Sequence, residues 1–180
     1  MGALRISLRS DDMLNDQREV LDYWESLKKG AALPRRADFK PAAIVRRLPT
    51  VSLVDVDLSG ERFRYRLAGT GLREAFSHDL TGRPLEHEEW RAIYRDIAAS
   101  ATPANGYMPL LRKDRPSLVQ AWLRLPLAGE DGRVTTILGY DRFIPLQRKP
   151  QTIPPGDLPS WEGAIAALAA DVFQPRQMTA

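Results

Sequence analysis

The segment RFRYRLAGTGLREAFSHDLTGRPL, Arg62 to Leu85, decides the fold. Its first seven residues alternate: Phe63, Tyr65 and Leu67 fall on one side, and Arg62, Arg64 and Arg66 on the other. That period of two marks a strand with one buried and one wet face. Gly69-Thr70-Gly71 then turns the chain into a short helical piece, Leu72 to Phe76. The run Asp79-Leu80-Thr81-Gly82-Arg83-Pro84 is made of turn formers. A half-buried strand needs neighbours for its edges and a cover for its apolar side, and both are legible on either side of this segment.

Immediately upstream, Thr50 to Asp57 (TVSLVDVD) is rich in β-branched residues and reads as a strand, joined through Ser59-Gly60 into an antiparallel hairpin. Downstream, Glu88 to Ala101 carries Trp90, Ile93, Tyr94 and Ile97 at helical spacing. Three further β-like runs follow: Tyr107 to Arg112, Leu118 to Leu125, and Val134 to Phe143. The turns between them are Lys113-Asp114-Arg115-Pro116 and Gly129-Glu130-Asp131-Gly132, which gives a meander. Near the start, Asp16 and Glu19 read as a capping box for a helix from Asp16 to Lys29, closed by Gly30. Its apolar stripe is Val20, Leu21, Trp24 and Leu27. Pro41 opens a short helix ending near Leu48-Pro49. Leu146 to Pro159 is a proline-bearing linker, and Ser160 to Phe173 reads as an amphipathic helix with Trp161, Ile165, Leu168 and Val172 on one stripe.

This order predicts an α+β fold: a five-stranded antiparallel sheet with helices on one face, plus N-terminal and C-terminal flanking helices. Expected boundaries are 1–49 for the leading helix and lead-in, 50–146 for the core, and 147–180 for the linker and last helix. A curved sheet roofed by short helices leaves a hollow, the usual place for a small ligand.

Composition narrows the chemistry. The 180 residues contain no cysteine, so disulfides, thiolate metal sites, cysteine nucleophiles and a flavin–cysteine adduct are excluded. The net charge of +3 is modest, and arginines scattered among acids argue against a nucleic-acid binder, although the face of Arg62, Arg64 and Arg66 offers a minor alternative. No run approaches the roughly 20 apolar residues of a membrane span, and Met1 to Asp12 lacks the apolar stretch of a secretory signal. The expected location is cytoplasmic.

YRLAGTGLREAFSHDLTGRPL (Tyr65 to Leu85) resembles the second strand and following helix of PAS domains, with the turn Asp79 to Gly82 that often follows. LDYWESLKKGAALPRRADFKPAAI (Leu21 to Ile44), RRLPTVSLVDV (Arg46 to Val56) and LRLPLAGEDGRVTTILG (Leu123 to Gly139) resemble a proteobacterial group of single-domain PAS proteins of largely unknown function. The resemblance covers about Leu21 to Phe143. It implies a sensory or protein-interaction domain that often dimerises through its leading helix. Where the family commonly has glycine before the acidic turn, this chain has Ser77-His78. Haem-binding PAS proteins ligate iron through a histidine on the long crossover helix, and His87 lies near the start of that segment.

No nucleophile–base pair stands out, and no serine sits in a glycine-flanked elbow. His78 and His87, with Asp79, Glu86, Glu88 and Glu89, lack the spacing of a metal site and read as capping charge. Gly69-Thr70-Gly71 lacks the third glycine of a dinucleotide fingerprint. Asp55 and Asp57 share one side of a strand and edge it toward water. The expected ligand-binding set is therefore Tyr65, Phe76, Trp90, Tyr94, Tyr107, Arg112, Trp122 and Tyr140, with Arg112 or Arg124 holding a flat or acidic metabolite. Trp122 and Arg124 share one strand face, while Val119, Ala121, Leu123 and Leu125 share the other, which needs a cover. The end helices, 16–29 and 160–173, are the candidate covers; the stripe Val20, Leu21, Trp24 and Leu27 must lie on its own sheet or on the same helix of a second copy, and it is expected to form a homodimer interface. Neither a catalytic residue, a metal nor a cofactor is assigned. The partners expected are an unidentified small molecule and a downstream regulatory protein. An enzyme or carrier using the same hollow is the alternative.

Overall fold

The computed structural model describes residues 5–6, 13–110 and 117–145. Its strands are β1 (Arg5–Ile6), β2 (Val51–Val56), β3 (Phe63–Ala68), β4 (Ala104–Leu110), β5 (Leu118–Ala128) and β6 (Val134–Pro145). They form one antiparallel sheet in the order β1-β4-β5-β6-β2-β3. The five expected strands are all present, and the two-residue β1 pairs with β4. The helices are α1 (Asn15–Ser26), α2 (Thr70–Phe76) and α3 (Glu88–Ser100). Arg112 and the C-terminal segment from 146 to 180 lie outside the described residues.

The strand alternation sorts side chains onto two faces. Val54, Phe63, Trp122 and Ile137 meet Ile93, Tyr94 and Ile97 of α3 in one apolar cluster. Val51, Leu53, Leu123, Leu125, Leu127, Leu138 and Tyr140 form the other cluster with Val20 and Trp24 of α1. The crossover helices thus lie on one face as expected, and the leading helix seals the opposite face.

That placement corrects the expected dimer surface. Val20 is 0 % and Trp24 1 % exposed in the single chain, and Trp24 Nε1 donates to the Pro126 carbonyl at 2.9 Å. Leu21 and Leu27 are half-buried against the same cluster. The face of β5 that lacked a cover therefore has one from its own chain. Burying such side chains is worth about 1.5–3 kcal/mol each, which is the reason this stripe is spent within the protomer. The leading segment and the sheet consequently share one core.

Local chemistry adjusts the expected helix ends. Leu14, one residue before α1, occupies the cap position, and its amide N–H donates to Gln17 Oε1 at 3.1 Å. Asp16 instead accepts the Tyr140 hydroxyl at 2.9 Å, and Glu19 pairs with Arg47. The expected short helix at Pro41 is a 3-10 segment, Pro41–Thr50, kinked at Ile44. Pro49 has no N–H to extend an α-helical ladder. A Cβ on Gly69 would sit 2.2 Å from the Leu48 carbonyl oxygen, so the glycine pair lets α2 start hard against this segment and serves packing, not a phosphate.

Candidate functional site

Three residues on β5 point to the same side of the sheet as α3: Gln120, Trp122 and Arg124. In the β5–β6 register Trp122 stands opposite Asp141 and Arg124 opposite Gly139. Gln120 and Arg124 are therefore the diagonal neighbours of Asp141, within reach of long side chains. Asp141 Oδ1 accepts from Arg124 Nη2 at 2.9 Å and from Gln120 Nε2 at 2.8 Å. The ion pair is buried, with Arg124 3 % and Asp141 1 % exposed. Arg124 Nη1 also donates to the Leu123 carbonyl at 2.9 Å.

Two glycines make space for this arrangement. A Cβ on Gly139 would lie 2.3 Å from Ser52 Oγ and 3.2 Å from Arg124 Nη1, so the guanidinium lies across bare backbone. A Cβ on Gly106 would lie 2.6 Å from Trp122 Cζ2, so the indole lies over β4 in the same way. The guanidinium carbon is 4.8 Å from the Trp90 ring centre and 5.7 Å from that of Tyr94. Aromatic faces thus share the stabilisation of a desolvated cation.

The pair forms part of the floor of a cavity of about 620 Å³. Ser52, Gln120, Arg124 and Asp141 supply its polar lining; Tyr65, Phe76, Trp90 and Tyr107 supply aromatic surface; His78, Arg83, Glu86, His87 and Glu89 also line it. A space of this size suits a small organic molecule. Arg124 Nε is buried and reaches no hydrogen-bond partner among the described residues, as is Trp122 Nε1. Both atoms are closed to solvent, and a buried donor left unmade costs roughly 1–3 kcal/mol.

The protonation states are one-sided. Burial works against the Arg124 charge, yet Asp141 and the neighbouring phenols outweigh it and hold the guanidinium's pKa above its ordinary value. Burial, then the proximity of Tyr94, pushes the Tyr65 phenol far up; burial does the same to Tyr94. These three groups keep their protons at neutral pH and can donate hydrogen bonds but not act as bases.

The structure brings together Tyr65, Phe76, Trp90 and Tyr107 on the cavity wall, while Tyr94 and Trp122 pack behind it. Tyr140 is a correction: strand parity turns it to the α1 face, where its hydroxyl meets Asp16. Gln120, Asp141 and Ser52 are additions. Their signal in the sequence is a polar side chain at a position that alternation assigns to the interior. Arg66 pairs with Asp55 at 2.8 Å, Arg62 with Asp57 at 3.5 Å, and Arg64 donates to the Gly82 carbonyl at 2.8 Å. The arginine face of β3 is thus engaged with its own chain. His78 Nδ1 lies 2.9 Å from the Phe76 carbonyl, and His87 is the N-cap residue of α3.

The PAS domain family model matches residues 14–141, which span α1 through the cavity floor at Asp141. The chain belongs to the PAS domain family. Among solved structures, this PAS chain is similar to one described as an RNA-binding light-oxygen-voltage receptor, at 16 % identity and a TM-score of 0.43, covering 57 % of this chain and 32 % of that one. It thus spans about a third of that receptor's length. A structure of a light-oxygen-voltage domain with a flavin analogue matches at 16 % identity and a TM-score of 0.47, covering 72 % of this chain and 91 % of the other. A PAS domain of a protein from Colwellia psychrerythraea matches at 16 % identity and 0.41, covering 59 % and 98 %. No curated protein matches the chain. Among the described residues no helix is long and apolar enough to cross a membrane, and no group of three or more His, Asp or Glu side chains is placed to hold a metal ion.

Proposed function

We propose that this PAS domain is a cytoplasmic sensory module that takes a small molecule into the cavity beside α3 and reports its presence to a regulatory protein. The observation that carries the reading is the polar floor: Arg124, Asp141 and Gln120 are buried at the edge of a space large enough for a ligand. A buried ion pair is weak as a source of stability, so its place on a cavity wall favours recognition over folding as its use. Occupancy acts by population shift: a ligand that touches both α3, through Trp90, and the sheet, through Arg124, stabilises the conformation in which the two are drawn together. A partner that reads α3 or the adjoining surface then sees the change.

Binding without catalysis is the part of the reading supported by the floor's chemistry, where Arg124, Tyr65 and Tyr94 retain their protons. Thermal shift against a metabolite panel tests the module. A ligand present at about 100 times its Kd stabilises the fold by about 2.7 kcal/mol, and that shift disappears in Met108→Trp, which fills the cavity from β4. If no compound stabilises the protein, or the shift survives the filled cavity, the reading fails.

A further inference from the structure

The open hydroxyl of Tyr65 selects a class of ligand, an inference that rests on the ligand-binding role just proposed. Tyr65 stands on β3 opposite Val54, packs against the α3 cluster and lines the cavity. It is half-buried. After burial, the groups that act on its phenol are Tyr94, Arg124 and Asp141, and they do so through space and not by a hydrogen bond. The hydroxyl is thus set toward the cavity floor without a bond to it. Tyr94 Oη, Trp122 Nε1 and Arg124 Nε are unpartnered and closed to solvent. The Tyr65 hydroxyl, also without a hydrogen-bond partner among the described residues, is not one of these closed atoms. It is open to the space that the side chain lines.

The wall around that hydroxyl is flat and apolar. Phe76, Trp90 and Met108 are half-buried and line the same space. A guest that fills this space covers the Tyr65 oxygen and removes it from water. Burial keeps the proton on the phenol, so the covered group either donates to an acceptor on the guest or loses the bond it made to water. A site holding such a group rejects an analogue that lacks the matching atom more sharply than an apolar pocket rejects a change of size. We propose that the cavity takes a flat, largely apolar ring system with a hydrogen-bond acceptor at its edge, a ring nitrogen or a carbonyl oxygen, that accepts from the Tyr65 hydroxyl. Tyr65 is then a specificity residue on the sheet, while Trp90 of α3 covers the ring, so one guest engages both elements.

Three matched probes decide this on the full chain at neutral pH: quinoline, isoquinoline and naphthalene, titrated by the chemical shifts of the protein. All three are uncharged there, and the first two differ from the third by a nitrogen in place of one C–H. The better of the two nitrogen heterocycles is expected to bind at least about tenfold more tightly than naphthalene, about 1.4 kcal/mol. Tyr65→Phe, which removes a single oxygen, is expected to abolish that advantage and leave naphthalene binding unchanged. Tyr94→Phe, which removes a closed hydroxyl, is expected to keep the advantage. Naphthalene binding as tightly as both heterocycles in the wild type overturns the ligand class while leaving the cavity's binding role standing. An advantage that survives in folded Tyr65→Phe, or is lost in folded Tyr94→Phe, also overturns it. Should none of the three bind, both the class and the binding role fall. The wild-type ranking decides the matter even if a variant does not fold.

Discussion

Arg124 and Asp141 depend on each other, and a double-mutant cycle exposes that dependence. Arg124→Met leaves a carboxylate buried without its cation and is expected to cost about 3–5 kcal/mol in urea unfolding. Arg124→Met with Asp141→Leu removes both charges and is expected to recover most of that loss. Additive losses would mean that the two side chains are not coupled. At Ser77 the prediction has the opposite sign. Its φ of 65° places it in the left-handed region at the end of α2, the conformation that glycine adopts freely. The strain of a side chain there, about 1–2 kcal/mol, exceeds the roughly 0.5–1 kcal/mol of extra chain entropy that glycine loses on folding. Ser77→Gly should therefore raise stability by about 0.5–1 kcal/mol, and a lower midpoint in thermal unfolding would contradict the assignment. Neither feature was fully legible beforehand. The placing of Arg124 beside Trp122 on one strand face follows from alternation, but its pairing with Asp141 depends on the β5–β6 register, which no local pattern states.

Elements were easier to read than their destinations. The stripe Val20, Leu21, Trp24 and Leu27 announced an amphipathic helix, and alternation in β3 and β5 announced two-faced strands. Yet a stripe records only that something apolar lies opposite, its own sheet and a second copy alike, and here Val20 and Trp24 lie against the chain's own sheet. Leu123 and Leu125 need a cover and α1 needs a floor, two halves of one contact separated by about a hundred residues. Trp24→Ala removes the largest side chain of that contact and its hydrogen bond to Pro126. The expected loss is about 3–5 kcal/mol, independent of protein concentration. A loss that grows on dilution would restore the interface between copies. The 3-10 segment at Pro41–Thr50 escaped reading for a similar reason, since its form is set by two prolines and by the close approach of α2 at Gly69.

At the scale of the whole molecule, one sheet carries two different interiors: a dry one under α1 and a partly polar one under α3. The buried phenol of Tyr94 and the half-buried phenol of Tyr65 make an alkaline prediction. Burial holds the folded pKa of Tyr65 and Tyr94 above the ordinary value of 10.0. The unfolded chain therefore releases those protons first, and the contribution to stability is complete below about pH 10 and lost as the pH rises above it. Each phenol lowers stability by about 1.4 kcal/mol per pH unit in that range. Unfolding and the rise of phenolate absorbance should coincide for these two groups; phenolate appearing in a still-folded protein would place them in solvent. A ligand in the cavity beside α3 lies against Arg124 and Trp90, and the Nε–H resonance of Arg124 in a nitrogen-15 NMR spectrum reports on its arrival. Addition of any compound that stabilises the protein is predicted to move that resonance, as the ligand changes the surroundings of the guanidinium. A stabilising compound that leaves the Arg124 signal unmoved, while shifting residues elsewhere, would contradict it.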